Sequence, residues 1–476
     1  MMLLDLFSPR RWTRVDPRWL PFAELATGDM TLSRLFRLSL FQVSVGICMA
    51  LMVGTLNRVL IVEMGVAAWL VALMVALPVL VAPLRAMVGY KSDTHRSFLG
   101  LRRLPYLWVG TLLTFGGLAI MPFALLLLSG DTHWPSAIGP VSAALAFLLV
   151  GLGIQTVQTT GLALATDLVE PVSRPRMVAL MYAMLLVGMV GSGVLFSLAL
   201  TAFSPLRLIQ VVQGSASAVL AMNLLAMWKQ EPRRPHLTAP SQPPADRFES
   251  AWRTFMAVPG HRRFFVSVFM GTAAFSMQDI ILEPYGAEVL GLTVAQTSFL
   301  TVLLAGGALL AFWLSARALK TGYTPNFLAA IGALVGTMAF SLVIFSEPLG
   351  SPLMFQSGTT LIGFGGGLFS IGTLSAAMAM ESGGHTGLAL GAWGAVQATS
   401  LGLSMALGGG LRDMVSGLAL HGDLGVVLTS AGAGYSAVYH LELLLLFMTL
   451  VALGPLVKAF KRSPKGEAFG LAEFPG

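Results

Sequence analysis

The sequence predicts an all-α polytopic membrane protein whose twelve transmembrane helices fall into two six-helix halves. Three observations carry that expectation. Of 476 residues, 55% are apolar and only 11% are charged, with a mean hydropathy of +0.78, outside the range of soluble proteins. Twelve stretches approach the roughly 20 apolar residues a span needs. All but three of the 29 Lys and Arg residues fall on one side when those stretches are threaded through a bilayer.

The stretches run near 36–62, 66–90, 104–129, 139–168, 176–203 and 206–228, then 263–288, 292–318, 324–346, 352–381, 385–410 and 436–459. Only Arg58, Arg207 and Arg412 are left on the outer side, so both termini are expected in the cytoplasm. The formal charge of +7 is therefore a topology signal, which speaks for anionic lipid more than for nucleic acid. Residues 1–35 mix arginine with Trp12, Trp19 and Phe22 and read as a surface-anchored amphipathic segment. With no apolar core before Arg34, the first span is expected to serve as an uncleaved insertion signal. Residues 229–262 form a proline-rich linker between bundles at 36–228 and 263–459, and residues 460–476 form a tail. Cys48, the one cysteine, lies in an apolar span, which excludes disulfides and cysteine metal clusters.

The halves repeat weakly. Gly54-Thr-Leu-Asn-Arg58 through Glu63 and Ser276-Met-Gln-Asp279 through Glu283 sit at one depth, offset by about 222 residues, as parallel repeats would place them. Two six-helix halves, a basic linker and this repeat point to the major facilitator fold. Gly89-Tyr-Lys-Ser-Asp93 with Arg96, followed by Arg102 and Arg103, is similar to the loop motif of that superfamily. The glycine lets helices approach, and the aspartate accepts bonds at a helix start. Gly363 with Gly367, Gly387 with Gly391, and Gly191 with Gly193 read as helix-packing contacts.

Gln278, Asp279 and Glu283 interrupt an apolar run, and positions 279 and 283 share one helix face. They are either a solvated outer helix end, ahead of the break signalled by Pro284-Tyr-Gly286, or a polar rim that positions a ligand headgroup or a partner helix. Asn57, Arg58 and Glu63 repeat the arrangement, and Arg58 is expected to pair with Asp279 or Glu283 across the pseudo-twofold axis. Gln155, Thr159, Leu162 and Thr166 form a stripe on span 4, with Gln397 and Ser404 on span 11; helix–helix hydrogen bonding explains them better than a solute cavity. The acids of the spans, Glu63, Asp167, Asp279, Glu283 and Glu381, cluster near helix ends, which speaks against a proton-coupled carrier. No phosphate loop, Cys/His metal set or nucleophile elbow appears, so neither an enzyme nor a site for a free metal ion is expected.

Arg37-Leu-Ser-Leu-Phe-Gln-Val-Ser-Val-Gly46, Gly54-Thr-Leu-Asn-Arg58, Lys91-Ser-Asp-Thr-His-Arg-Ser97 and Arg103-Leu-Pro-Tyr106 stand in the first half. Met277-Gln-Asp-Ile-Ile-Leu-Glu-Pro-Tyr-Gly286 and Gly391-Ala-Trp-Gly-Ala-Val-Gln397 stand in the second. Together they resemble the bacteriochlorophyll delivery family of the facilitator superfamily, which includes the PucC and LhaA proteins of purple photosynthetic bacteria. The resemblance implies a non-catalytic assembly factor in the photosynthetic inner membrane that hands bacteriochlorophyll, with carotenoid as a second pigment, to light-harvesting antenna α and β polypeptides. The core antenna, LH1, is the preferred client over LH2, and pigment-synthesis enzymes are implied partners. A pigment-free scaffold and a small-solute carrier are the alternatives. Imidazole is a common axial ligand of pigment magnesium. His95, His133, His236, His261 and His421 fall in expected loops and His385 at a span start, leaving His440, in the first turns of span 12, as the best single ligand candidate. Asn57, Gln278, a carbonyl or a water would serve as well.

Overall fold

The computed structural model describes residues 32–80, 101, 103–128, 135, 137–169, 174–231, 256–380, 386–421, 423 and 432–459. The N-terminal segment, Gly89, Asp93, Arg96 and Arg102 of the loop motif, Glu381, His385, most of the linker and the tail lie outside them.

Among the described residues twelve helices follow in order: α1 Ser33–Glu63, α2 Ala68–Leu80, α3 Leu104–Leu128, α4 Ile138–Asp167, α5 Arg174–Ala199, α6 Pro205–Met227, α7 His261–Glu288, α8 Val294–Lys320, α9 Pro325–Ser346, α10 Pro352–Met378, α11 Thr386–His421 and α12 Gly432–Ala459. Ten of them are long and apolar enough to cross a membrane. Helix starts are written locally. Ser204 and Ser351 cap α6 and α10 with proline at the next position, and Thr293 with Gln296 forms a capping box at α8. Several predicted boundaries move: α5 ends at Ala199 instead of 203, α7 begins at His261 and α11 runs on through His421, both expected in loops, and α12 begins at Gly432 instead of 436.

Each half packs mainly on itself. In the first, α1 lies against α4, α5 and α6, and α3 against α4; in the second, α10 lies against α8 and α9, and α12 against α7, α9 and α11. A buried chain of hydrogen bonds ties the first half together: Ser44 donates to Asn223 (2.6 Å), whose amide donates to Thr111 (3.1 Å). Small residues allow the close contacts, as expected for Gly363, which abuts the Leu304 backbone, and Gly367, against Ala308 and Ala311. Gly191 differs: nothing packs over it.

The halves meet along α2 with α11 and along α5 with α8. We call the side on which α1 starts the near side and the other the far side. The near part of α1 packs within the first half and the near part of α7 within the second, whereas their far parts touch each other. The seam is therefore closed on the far side, and every polar group singled out in α1 and α7 lies in or beside it.

Candidate functional site at the far side of the seam

Two departures from regular α-helix build the site. The far part of α1 winds as π-helix over Ala50–Leu56 and Val59–Glu63. α7 is interrupted at Met277, not at Pro284, and resumes as Gln278–Glu288 through the proline.

The π winding decides what Arg58 does. It stacks residues five apart, so the Arg58 guanidinium, 4% exposed, meets the Glu63 carboxylate of its own helix in an ion pair. The expected pairing of Arg58 with Asp279 or Glu283 is thus replaced by one within α1. Glu283 remains within electrostatic reach of Arg58, but its hydrogen bond comes from Thr301 Oγ1 on α8 (3.0 Å). Gly54 makes room for this: a Cβ there would lie 2.6 Å from Glu283 Oε1 and 2.8 Å from Thr301 Oγ1. Beside it, the Thr55 and Ser298 hydroxyls are 3.2 Å apart and join α1 to α8.

Asn57 crosses the seam. Its Nδ2 donates to the Ile280 carbonyl at 2.7 Å. Pro284 explains why that carbonyl is available. A residue four positions on would normally donate to it, and proline has no N–H. The second half thus carries a vacant acceptor that the first half fills.

The interruption at Met277 is completed by a residue the sequence reading missed. Glu442 on α12 is fully buried, and its Oε1 accepts the Gln278 backbone N–H at 2.6 Å, capping the resumed helix from another span. Gly408 of α11 faces the same turn, where a Cβ would lie 2.6 Å from the Met277 carbonyl. The Gln278 side chain donates to Asp279 Oδ1 and to the Phe275 carbonyl (3.2 Å). The solvated-end reading is therefore corrected: Gln278 and Glu283 are buried, and only Asp279 is partly open. The view that the acids keep to helix ends is corrected with it, because Glu442 lies ten residues into α12, about 15 Å along the axis. A Glu in an apolar run, one turn after a Tyr-His pair, was the available signal.

Among the described residues, several buried atoms here have no hydrogen-bond partner: Asn57 Oδ1, Arg58 Nε, Gln278 Oε1, Glu283 Oε2, Tyr439 Oη and Glu442 Oε2. Such groups are costly without water or a ligand.

A second cluster locks the far rim. Arg412 of α11 pairs with Glu288 of α7, donates to Tyr435 Oη of α12 (2.9 Å) and pairs with Asp413 (2.8 Å); Asp413 Oδ2 in turn accepts the Trp69 N–H at the start of α2 (2.7 Å).

The remaining expected residues lie elsewhere. Arg103 belongs to a near-side capping cluster: its N–H and that of Leu104 donate to Glu231 (2.9 Å each to the nearer oxygen), and its Nε pairs with Asp167 (3.1 Å). Gln155 donates to the Pro78 carbonyl (3.0 Å), a helix–helix bond as expected for that stripe. His440 is exposed on α12, which packs mainly against helices of the second half, and its Nδ1 lies 2.7 Å from the Ser436 carbonyl. No group of three or more His, Cys, Asp or Glu among the described residues is arranged to hold a metal ion.

Comparison with known proteins agrees with this architecture. A bacterial homologue of the lysosomal transporter Spinster superposes with a TM-score of 0.66 at 15% identity, covering 91% of this chain and 98% of its own, which shows the major facilitator fold. An uncharacterized protein of the puhA-bchM intergenic region in Rhodobacter capsulatus is 50% identical over 96% of this chain and 97% of its own length. Protein PucC of Rhodovulum sulfidophilum is 51% identical over 87% of this chain and 92% of its own. The family model described as PUCC protein matches residues 55–460, through both halves and the seam between them, and the chain belongs to that family.

Proposed function

We infer that this protein is an assembly factor of the photosynthetic membrane that takes up bacteriochlorophyll and delivers it to light-harvesting α and β polypeptides, with LH1 as the client, without catalysing a reaction. The observation that carries the reading is near-full-length membership of the PUCC family, joined to a multi-pass fold whose seam is shut on one side. A carrier body closed on the far side suits a protein loaded from lipid or from the near side. That side is cytoplasmic in the orientation the basic residues favour. Carotenoid, pigment-synthesis enzymes and lipid complete the proposed set of partners.

Bacteriochlorophyll needs an apolar surface and one axial donor to its magnesium. In the seam Asn57 Oδ1 and Gln278 Oε1 are buried oxygen acceptors without a partner among the described residues, and the exposed His440 offers an imidazole beside apolar side chains, so donors of the required kind stand in both places.

Purification in mild detergent from the photosynthetic host, followed by pigment extraction, tests the reading. Near-stoichiometric bacteriochlorophyll that survives removal of antenna polypeptides is the expected result. Antenna subunits without pigment would replace it with a scaffold.

One observation favours a second reading. Glu442, buried far from either end of α12, is the kind of intramembrane carboxylate that carriers use. A proton-coupled solute carrier predicts pH-gradient-driven uptake into proteoliposomes that Glu442→Gln abolishes.

A further inference from the structure

We propose that the interruption of α7 at Met277 is a binding site for a desolvated monovalent cation of the size of sodium, held by Glu442, Gln278, Tyr439 and Asp279. The proposal does not rest on the pigment reading, and its test separates it from the proton of the carrier reading.

Charge comes first. On the far side of the seam the guanidiniums of Arg58 and Arg412 stand among the carboxylates of Glu63, Asp279, Glu283, Glu288, Asp413 and Glu442. Arg58 is taken by Glu63, with Glu283 in reach, and Arg412 by Glu288 and Asp413. Glu442 and Asp279 are left over. They lie within electrostatic reach of one another, and among the described residues no Lys or Arg bonds to either. Glu442 is also fully buried. A buried carboxylate persists only when it is paired, protonated or bound to a cation.

The oxygens at the break choose among these. Glu442 Oε1 accepts the Gln278 N–H, and its Oε2 has no partner. The Gln278 side chain is buried as well. Its Nε2 donates to Asp279 Oδ1 and to the Phe275 carbonyl, groups that only accept, so the amide orientation is fixed and Oε1 is the atom left unpartnered. Tyr439, one turn before Glu442 on the same face of α12, is fully buried, and its unpartnered hydroxyl is in reach of the Glu442 charge. A proton on Glu442 would serve one of these oxygens and leave the rest. One hard cation serves them together, and interrupted spans are where membrane proteins gather such ligands. A monovalent ion fits the count: one carboxylate is wholly buried, and no group of three His, Cys, Asp or Glu among the described residues is arranged for a divalent ion. Asp279, the partly open member, gives the ion its approach. Because Glu442 caps the helix whose Ile280 carbonyl receives Asn57 from the first half, a cation here braces the seam.

The test uses the full chain in nanodiscs of neutral lipid at mildly alkaline pH, with radiolabelled sodium as the probe and choline chloride holding ionic strength constant. A single saturable site is expected, weakened at least tenfold in Glu442→Gln and in Gln278→Leu and several-fold in Tyr439→Phe. Sodium should raise the thermal midpoint of the wild type but not of Glu442→Gln. Glu442→Gln still accepts the Gln278 N–H, and Gln278→Leu leaves that backbone bond in place; midpoints in choline report whether each is folded, and Tyr439→Phe carries the comparison if either is not. Asp167→Asn, which removes an acid on the near side, should bind sodium as the wild type does. No sodium binding, or equal binding by the wild type and the folded variants, would overturn the site. So would a thermal midpoint that rises as pH falls yet ignores sodium, which makes Glu442 a protonated acid and favours the carrier. Calcium that displaces the label at far lower concentration than unlabelled sodium would overturn the monovalent assignment.

Discussion

The far parts of α1 and α7 occupy equivalent places in the two halves, yet they handle their polar groups in opposite ways. In α1 the charges are settled internally: π winding brings Glu63 onto Arg58. In α7 almost nothing is settled internally. Its interrupted backbone leans on Glu442 from α12, its Ile280 carbonyl on Asn57 from α1, and Glu283 on Thr301 from α8. The difference teaches that a sequence repeat conserves depth and polarity but not bonding. The first half supplies a finished surface; the second is completed only when its neighbours and the first half are in place. Breaking contacts around α7 should therefore cost more than breaking those within α1.

The largest effect is expected at Glu442. Glu442→Ala strands the Gln278 N–H and leaves a void in the core of the second half, a loss of about 3 kcal/mol. Thermal unfolding in detergent should show it, with Glu442→Gln recovering much of the loss because an amide oxygen still accepts. By contrast, Glu63→Gln should cost about 1 kcal/mol, since an amide oxygen still accepts from Arg58 and the Glu283 carboxylate stays within its electrostatic reach. If Glu63→Gln proves the worse of the two, the contrast between the helices fails.

Gly54→Val is next. The added methyls meet Glu283 and Thr301, and overpacking of this kind costs about 1–3 kcal/mol. Because Cys48 is buried, a cysteine introduced at Ser298 reports on the seam with little background. Faster maleimide labelling in Gly54→Val than in Gly54→Ala is the expected outcome. Asp413→Ala should weaken the far rim by about 1 kcal/mol, the usual worth of a helix cap, because Trp69 loses its acceptor. Its signature is a small drop in thermal midpoint with the α1 contacts intact.

Much of this was legible in the sequence. Apolar stretches gave the helices, basic residues gave a topology, and the offset between Asn57 and Asp279 brought together two regions that the structure places in contact. What was not legible depended on winding and on partners distant in sequence. An α-helical period hides a pair five residues apart, so Arg58 seemed to need a partner across the seam. Pro284 looked like the end of a helix, because the sequence does not reveal that another span fills the acceptor it frees. Glu442 passed unnoticed because a single acid in an apolar run shows its role only when the Gln278 N–H stands opposite it.

The sharpest test of the comparison reads a coupling between the two halves. Asn57→Ala alone should cost about 1–2 kcal/mol, since it orphans the Ile280 carbonyl in a buried site. Pro284→Ala restores an N–H four residues beyond Ile280, so the helix regains its own donor. In that background Asn57→Ala should cost much less, a coupling of roughly 1 kcal/mol between two residues on different helices. The same logic applies on the near side, where Pro455 frees the Val451 carbonyl of α12 and Arg263 of α7 donates to it at 3.2 Å. That contact joins two helices of one half, so its coupling should appear in stability alone. The Asn57 contact joins the halves, so its coupling should also appear in the rate at which Ser298→Cys is labelled. Additive costs for Asn57→Ala and Pro284→Ala would mean that the proline and the amide are merely neighbours, and that the seam is held by packing alone.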